Sequence, residues 1–132
     1  LLANSATIKS EWISKSVKKL LSNPKATACV PVMINNDQHP YRAKRISKMG
    51  YLKSFFKLKN ISSNRQDLEK NCFLCHNFWT IKTNSIYDNC GEAPWKFMGK
   101  NVLPIFLDYS VDIHDNKDIL LTKEWLRKYR KS

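Results

Sequence analysis

The sequence predicts a small α+β domain in which basic amphipathic helices and a short antiparallel hairpin are stapled by a cysteine metal site. Three observations lead there. Apolar residues recur at helical spacing near both ends and across residues 40–59, shorter runs of β-type composition lie between them, and a single Cys-x-x-Cys pair interrupts the second half. The chain has 132 residues, 42% of them hydrophobic and 11% aromatic, which suits one core, so residues 1–132 read as a single domain. Mean hydropathy is −0.48, and no apolar run approaches the ~20 residues of a membrane-spanning helix. Three Gly and five Pro exclude a collagen-like or low-complexity chain.

Residues 1–23 read as a helical N-terminal extension, with Ile13, Val17, Leu20 and Leu21 on one face, Lys15, Lys18 and Lys19 turned away, and Asn23-Pro24 as the stop. Ala26 to Ile34 alternates Val30, Val32 and Ile34 and reads as a strand carrying Cys29, which Pro31 pushes toward a sheet edge. From Pro40 onward, Ile46, Met49, Leu52, Phe55 and Phe56 fit a helical stripe ringed by cations, with Gly50 costing about 1 kcal/mol in its middle. Residues 72–90 read as a cysteine knuckle and hairpin: Phe78-Trp79-Thr80-Ile81 and Ser85-Ile86-Tyr87 are the two strands, and Cys90 returns toward Cys72 and Cys75. Residues 102–113 read as one more strand. A last helix follows, with Leu121, Trp125 and Tyr129 in register, Thr122 as a cap, and Lys123, Arg127, Lys128, Arg130 and Lys131 toward its C-terminal end.

Charge narrows the partner. With 23 Lys+Arg against 11 Asp+Glu the net charge is +12, and the excess is uneven: residues 1–71 carry +10 and residues 72–132 only +2. No carboxylate stands between Asp37 and Asp67, a window that holds Arg42, Lys44, Arg45, Lys48, Lys53, Lys57 and Lys59. Such a field holds phosphates and releases their counterions; anionic lipid is the other acceptor it suits. Tyr41, Tyr51, Phe78 and Trp79 lie in or near this half, where rings stack on unpaired bases. No sequence-reading DNA or RNA motif is visible.

Cys29, Cys72, Cys75 and Cys90 suit one tetrahedral zinc site in a reducing compartment or two disulfides in a secreted chain. The two-residue gap between Cys72 and Cys75 favours the metal, with Cys90 as third ligand and Cys29, His76 or another His as fourth. The alternative to both is four small buried thiols without a ligand. Cys72-Phe73-Leu74-Cys75-His76 also resembles, over those five residues, the attachment pattern of c-type cytochromes. That resemblance implies haem c on Cys72 and Cys75 with His76 as axial ligand. Catalysis finds little support: His39, His76 and His114 are far apart in sequence, and Asp108, Asp112, Asp115 and Asp118, which cluster with His114 and offer oxygen ligands for a divalent cation, read rather as solvated groups or as the start of the last helix.

The expectation is therefore a non-catalytic RNA-binding component of a ribonucleoprotein, most concretely a small zinc-binding mitochondrial ribosomal protein. Its partners would be RNA, by class rRNA, and neighbouring proteins, with no membrane span and no small-molecule substrate. The alternative is an electron-transfer or respiratory-complex subunit with haem or structural zinc; a third is a secreted basic protein with two disulfides. The compartment follows from the Ser- and Lys-rich leader, whose only acid is Glu11, and from the absence of Met before Leu1. Failing a mitochondrial location, a cytoplasmic one is expected.

Overall fold

The computed structural model describes residues 1–58 and 60–129, so Lys59, Arg130 and Lys131 lie outside the described residues. The fold is α+β. The chain divides into two compact units: a sheet unit of residues 1–33 and 74–132, and an inserted unit of residues 34–73.

In the sheet unit, α1 (Ser10–Leu21) leads to β1 (Ala28–Ile34), the strand around which the sheet is ordered. The inserted unit contributes β2 (Lys44–Ile46) and β3 (Leu52–Ser54). The chain returns on β4 (Cys72–Leu74) and continues through β5 (Thr80–Ile81), α2 (Thr83–Asp88), β6 (Val102–Phe106) and α3 (Asn116–Tyr129). Along one edge of β1 runs β6, parallel, from Ala28 opposite Val102 to Val32 opposite Phe106. The other edge is shared by β5, antiparallel at Ala28 and Cys29, and by β4.

Because alternate side chains of a strand point to opposite faces, β1 supplies two cores. Cys29 joins Leu20, Cys75, Phe78, Ile105 and Leu107 on the face covered by α1. Ala28, Val30 and Val32 join Met98, with Trp79, Trp95 and Phe97 packed against them, on the other. A strand buried on both faces is central, and this corrects the edge position expected from Pro31. The Pro31 carbonyl accepts from the Cys75 N–H at 2.9 Å. Its missing N–H therefore faces that same edge, at the point where β5 has ended and β4 takes over, so the ladder with β6 is left whole.

The first helix is found at Ser10–Leu21, packed by Leu20 into the core rather than extending from it. Its inward face is Ile13, Ser16 and Leu20, while Val17 and Leu21 are exposed. Ser16 is accommodated there because its hydroxyl bonds the Ile13 carbonyl at 2.8 Å and the Thr80 hydroxyl at 2.6 Å. At the other end, Asp115 and Asp118 cap α3 reciprocally: the Asp118 N–H donates to Asp115 Oδ1 at 3.0 Å and the Asp115 N–H to Asp118 Oδ2 at 3.2 Å. Thr122, expected as that cap, is instead buried inside the helix.

Two expected elements are corrected. The hairpin expected over residues 78–87 is one short strand, β5, followed by the six-residue helix α2, which stops at Asn89 in the left-handed conformation with φ 46°. The basic amphipathic helix expected over residues 40–59 is the antiparallel hairpin β2–β3, in register from Lys44 opposite Ser54 to Ile46 opposite Leu52. Gly50, at φ 80°, closes the turn: its N–H donates to the Ser47 carbonyl at 2.9 Å, and the Ser47 N–H to the Tyr51 carbonyl at 2.9 Å. A helix there would place its cations around the circumference with no acid at i+4 to offset them, whereas the glycine turn is available at once.

Candidate nucleic-acid interface

All six strand residues of the β2–β3 hairpin face solvent. Arg45 and Lys53 stand directly opposite one another, a like-charge pair that repels across the ribbon until an anion lies over it. Lys44, one residue along on the other face, donates to the Ser54 hydroxyl at 3.3 Å. Ile46 and Leu52, the remaining pair, are 74% and 71% exposed, and Met49 at the tip is 79% exposed. An isolated two-stranded ribbon is marginal in water, and large side chains held outside a core mark a surface that meets a partner.

Charge in the inserted unit is one-sided because cations far outnumber its three acids, Asp37, Asp67 and Glu69, and two of these are engaged. Arg65 pairs with Asp37, and Asp67 accepts from the Ser62 hydroxyl at 2.7 Å and from Asn64 Nδ2 at 3.4 Å. Among the described residues, Arg42, Lys44, Arg45, Lys48, Lys53 and Lys57 have no carboxylate partner. Six of the seven cations expected to bind phosphate are thus presented together on this unit; Lys59 lies outside the described residues.

Of the four rings expected to stack on bases, Tyr41 and Tyr51 belong to the inserted unit and are 42% and 62% exposed. Phe78 is buried in the sheet unit's core. Trp79 packs there against Trp95 and Phe97, with its Nε1–H given to the Cys75 carbonyl at 3.0 Å. Phe55 and Phe56, read from the sequence as core, are exposed and lie edge to face at 5.2 Å. The signal for this was Gly50 between Ile46 and Leu52: a turn residue flanked by apolar residues at hairpin spacing.

The four cysteines are not drawn together. Cys29 and Cys75 are buried and Cys72 and Cys90 exposed, all as free thiols. Among the described residues no three His, Cys, Asp or Glu side chains form a group able to hold a metal ion. The reason is local: Cys72 opens a strand and the Cys75 N–H is still bonded along it, so an offset of three residues sends the two thiols to opposite faces. A zinc knuckle and a c-type haem both need them to converge. Burial pushes the Cys75 thiol up to about 11, with the nearby charge of Asp112 adding to the rise and a Ser110 hydrogen bond opposing it. Burial likewise raises Cys29, against the charge of Lys19. Both thiols are buried, the surroundings of structural rather than reactive cysteines. His76 Nδ1 lies 3.5 Å from Asp112 Oδ2, wedged edge-on between Trp79 and Trp95.

No protein-family model matches the chain, and no curated protein matches its sequence. Among the described residues no helix is long and apolar enough to cross a membrane.

Proposed function

We propose that this protein is a non-catalytic RNA-binding component of a ribonucleoprotein, and that its inserted unit holds the phosphate backbone through Arg42, Lys44, Arg45, Lys48, Lys53 and Lys57. The observation that carries the reading is that these cations, four of them (Lys44, Arg45, Lys48 and Lys53) on the solvent-facing hairpin, have no carboxylate partner and stand beside exposed rings. Lys and Arg supply affinity by displacing condensed counterions, and the rings add contacts to bases.

The test is fluorescence anisotropy of the full chain with a labelled structured RNA, titrated with salt. With all six cations on phosphates, log Kobs falls against log salt with a slope of about −4 to −5. Replacing Lys44, Arg45 and Lys48 with Ser lowers that slope by about 2–3 while the thermal midpoint stays put. Absence of binding at low salt, or an unchanged slope in the triple variant, overturns the proposal.

A further inference from the structure

Beside the hairpin, the inserted unit carries a cleft of about 490 Å³, within the roughly 300–1,000 Å³ of small-ligand sites. We infer that this cleft receives one unpaired nucleotide of a bound RNA strand, its base against Tyr41 and its phosphate against Arg42 and Lys44. The inference rests on the RNA-binding reading and specifies what that surface selects: single-stranded over duplex RNA.

The lining divides by chemistry. Arg42 and Lys44 form a cationic wall, and neither is ion-paired among the described residues. The Ser54 hydroxyl lies within reach of the Lys44 ammonium, so donors are clustered there for a phosphate oxygen. Leu58 and Ile61 supply an apolar wall. Ser62 holds the carboxylate of Asp67, which keeps the phosphate away from that part of the lining and at the Arg42 and Lys44 wall.

Tyr41 is placed for a base because its ring is braced without being stacked. His39 meets it at 4.8 Å and 63°, and Phe56 at 6.2 Å and 75°, both edge to face. His39 is itself fixed, with Nδ1 accepting the Tyr41 N–H at 3.2 Å and Nε2 3.1 Å from the Glu69 carbonyl oxygen. No described ring lies parallel to Tyr41, which remains 42% exposed. Every nucleobase offers a flat π-face, so such a ring takes an unstacked base of any sequence. A base already stacked in a duplex is not available to it.

The experiment compares a labelled single-stranded RNA with a duplex of the same length, using the full chain, and repeats both with Tyr41→Leu, Tyr41→Phe and Ser63→Asp. Expected is tighter binding of the single strand, a loss of about 5- to 100-fold on that strand alone in Tyr41→Leu, and retention in Tyr41→Phe. Ser63→Asp places a carboxylate in the cleft at an exposed position; it lowers single-strand affinity and decides the matter if Tyr41→Leu fails to fold. Equal affinity for both RNAs, or a strand preference that survives the cleft variants, overturns the cleft and leaves the RNA-binding reading standing. Failure of the unsubstituted chain to bind either RNA overturns both.

Discussion

The two units differ in how far they engage their own positive charges and aromatic rings. In the sheet unit, the Lys9 ammonium lies 5.3 Å from the ring centroid of Trp12, 5.8 Å from that of Trp125 and 4.9 Å from that of Tyr129. Lys19 and Lys82 donate to the Pro104 and Pro24 carbonyls at 2.7 and 2.8 Å, and Lys128 pairs with Glu124 at 2.8 Å. Trp125 is stacked by Tyr109 and by Tyr129. In the inserted unit, seven described cations, Arg42, Lys44, Arg45, Lys48, Lys53, Lys57 and Lys70, have no carboxylate partner, and Tyr41 meets other rings only edge-on. Charges and rings satisfied from within serve the fold. Those left open are available to a ligand; the sheet unit leaves some open too, Lys15, Lys18, Lys25 and Lys96 among them, but in the inserted unit they stand in a stretch with no carboxylate between Asp37 and Asp67.

The largest test of that contrast is a pair of truncations. Phe78 is 2% exposed among Leu20, Cys29, Cys75 and Ile105, so Phe78→Ala costs about 3–5 kcal/mol. Phe55, on the inserted unit, is 56% exposed, and Phe55→Ala costs at most about 1 kcal/mol. All four tryptophans, Trp12, Trp79, Trp95 and Trp125, lie in the sheet unit, so urea unfolding followed by Trp fluorescence reads that unit directly. A loss in Phe55→Ala equal to that in Phe78→Ala would show that the exposed rings belong to the core after all.

A second test uses the thiols. Cys75 has its folded-state pKa raised above the ordinary thiol value, so between about pH 9 and 11 the folded chain holds a proton that the unfolded chain has lost. Stability from this group is therefore present below pH 9 and falls as pH rises through that window; raised Cys29 acts in the same direction. Iodoacetamide under native conditions at pH 8.5 should label exposed Cys72 and Cys90 and spare buried Cys29 and Cys75, with the protected pair becoming reactive in urea. Mass spectrometry of the labelled peptides checks this. Native labelling of Cys75 as fast as Cys72 would break the assignment of one thiol to the core and the other to the surface.

Outside residues 78–87, most of the sheet unit was legible in the sequence because the periodicities of its longer elements have one reading. The spacing of Leu20 with Ile13, the run of Val30 and Val32, and Trp125 with Tyr129 locate α1, β1 and α3. The inserted unit was misread because Ile46, Met49, Leu52, Phe55 and Phe56 satisfy helical spacing and also flank a glycine turn; periodicity presumes a buried face, and these side chains have none. Of the candidate site, the unopposed cations were visible as a gap in carboxylates between Asp37 and Asp67. The cleft was not, since Tyr41 and Leu58 meet only through the hairpin's register. At Cys72 and Cys75 the two-residue gap fits a tight turn, whereas Cys72 opens a strand that ends at Leu74, and the described residues show no group able to hold a metal ion.

The smallest effect separates the units at two glycines of positive φ. Gly50 has φ 80° and Gly99 φ 76°, so substitution by Ala carries a conformational cost of about 1 kcal/mol at either, and more at Gly99, whose ψ of −174° lies where essentially only glycine is found. Their surroundings differ. A Cβ on Gly99 would lie 2.6 Å from Thr27 Cβ and 2.7 Å from its Oγ1, a stiff side chain whose oxygen accepts the Asn101 N–H at 3.0 Å. Crowding therefore adds to strain, and Gly99→Ala costs about 2–4 kcal/mol in urea unfolding read by Trp fluorescence. At Gly50 nothing lies within 4 Å of the added carbon, so only the conformational cost remains, and it falls on an exposed hairpin. Gly50→Ala should leave the Trp-detected transition unmoved and speed hydrogen exchange at the Ser47 amide, which closes the turn, by about fivefold. Gly50→Asn, which tolerates the left-handed conformation, should retain most of the protection. A shift of the Trp-detected transition in Gly50→Ala as large as in Gly99→Ala would mean that the hairpin folds as part of the sheet unit, and its openness to a ligand would need another explanation.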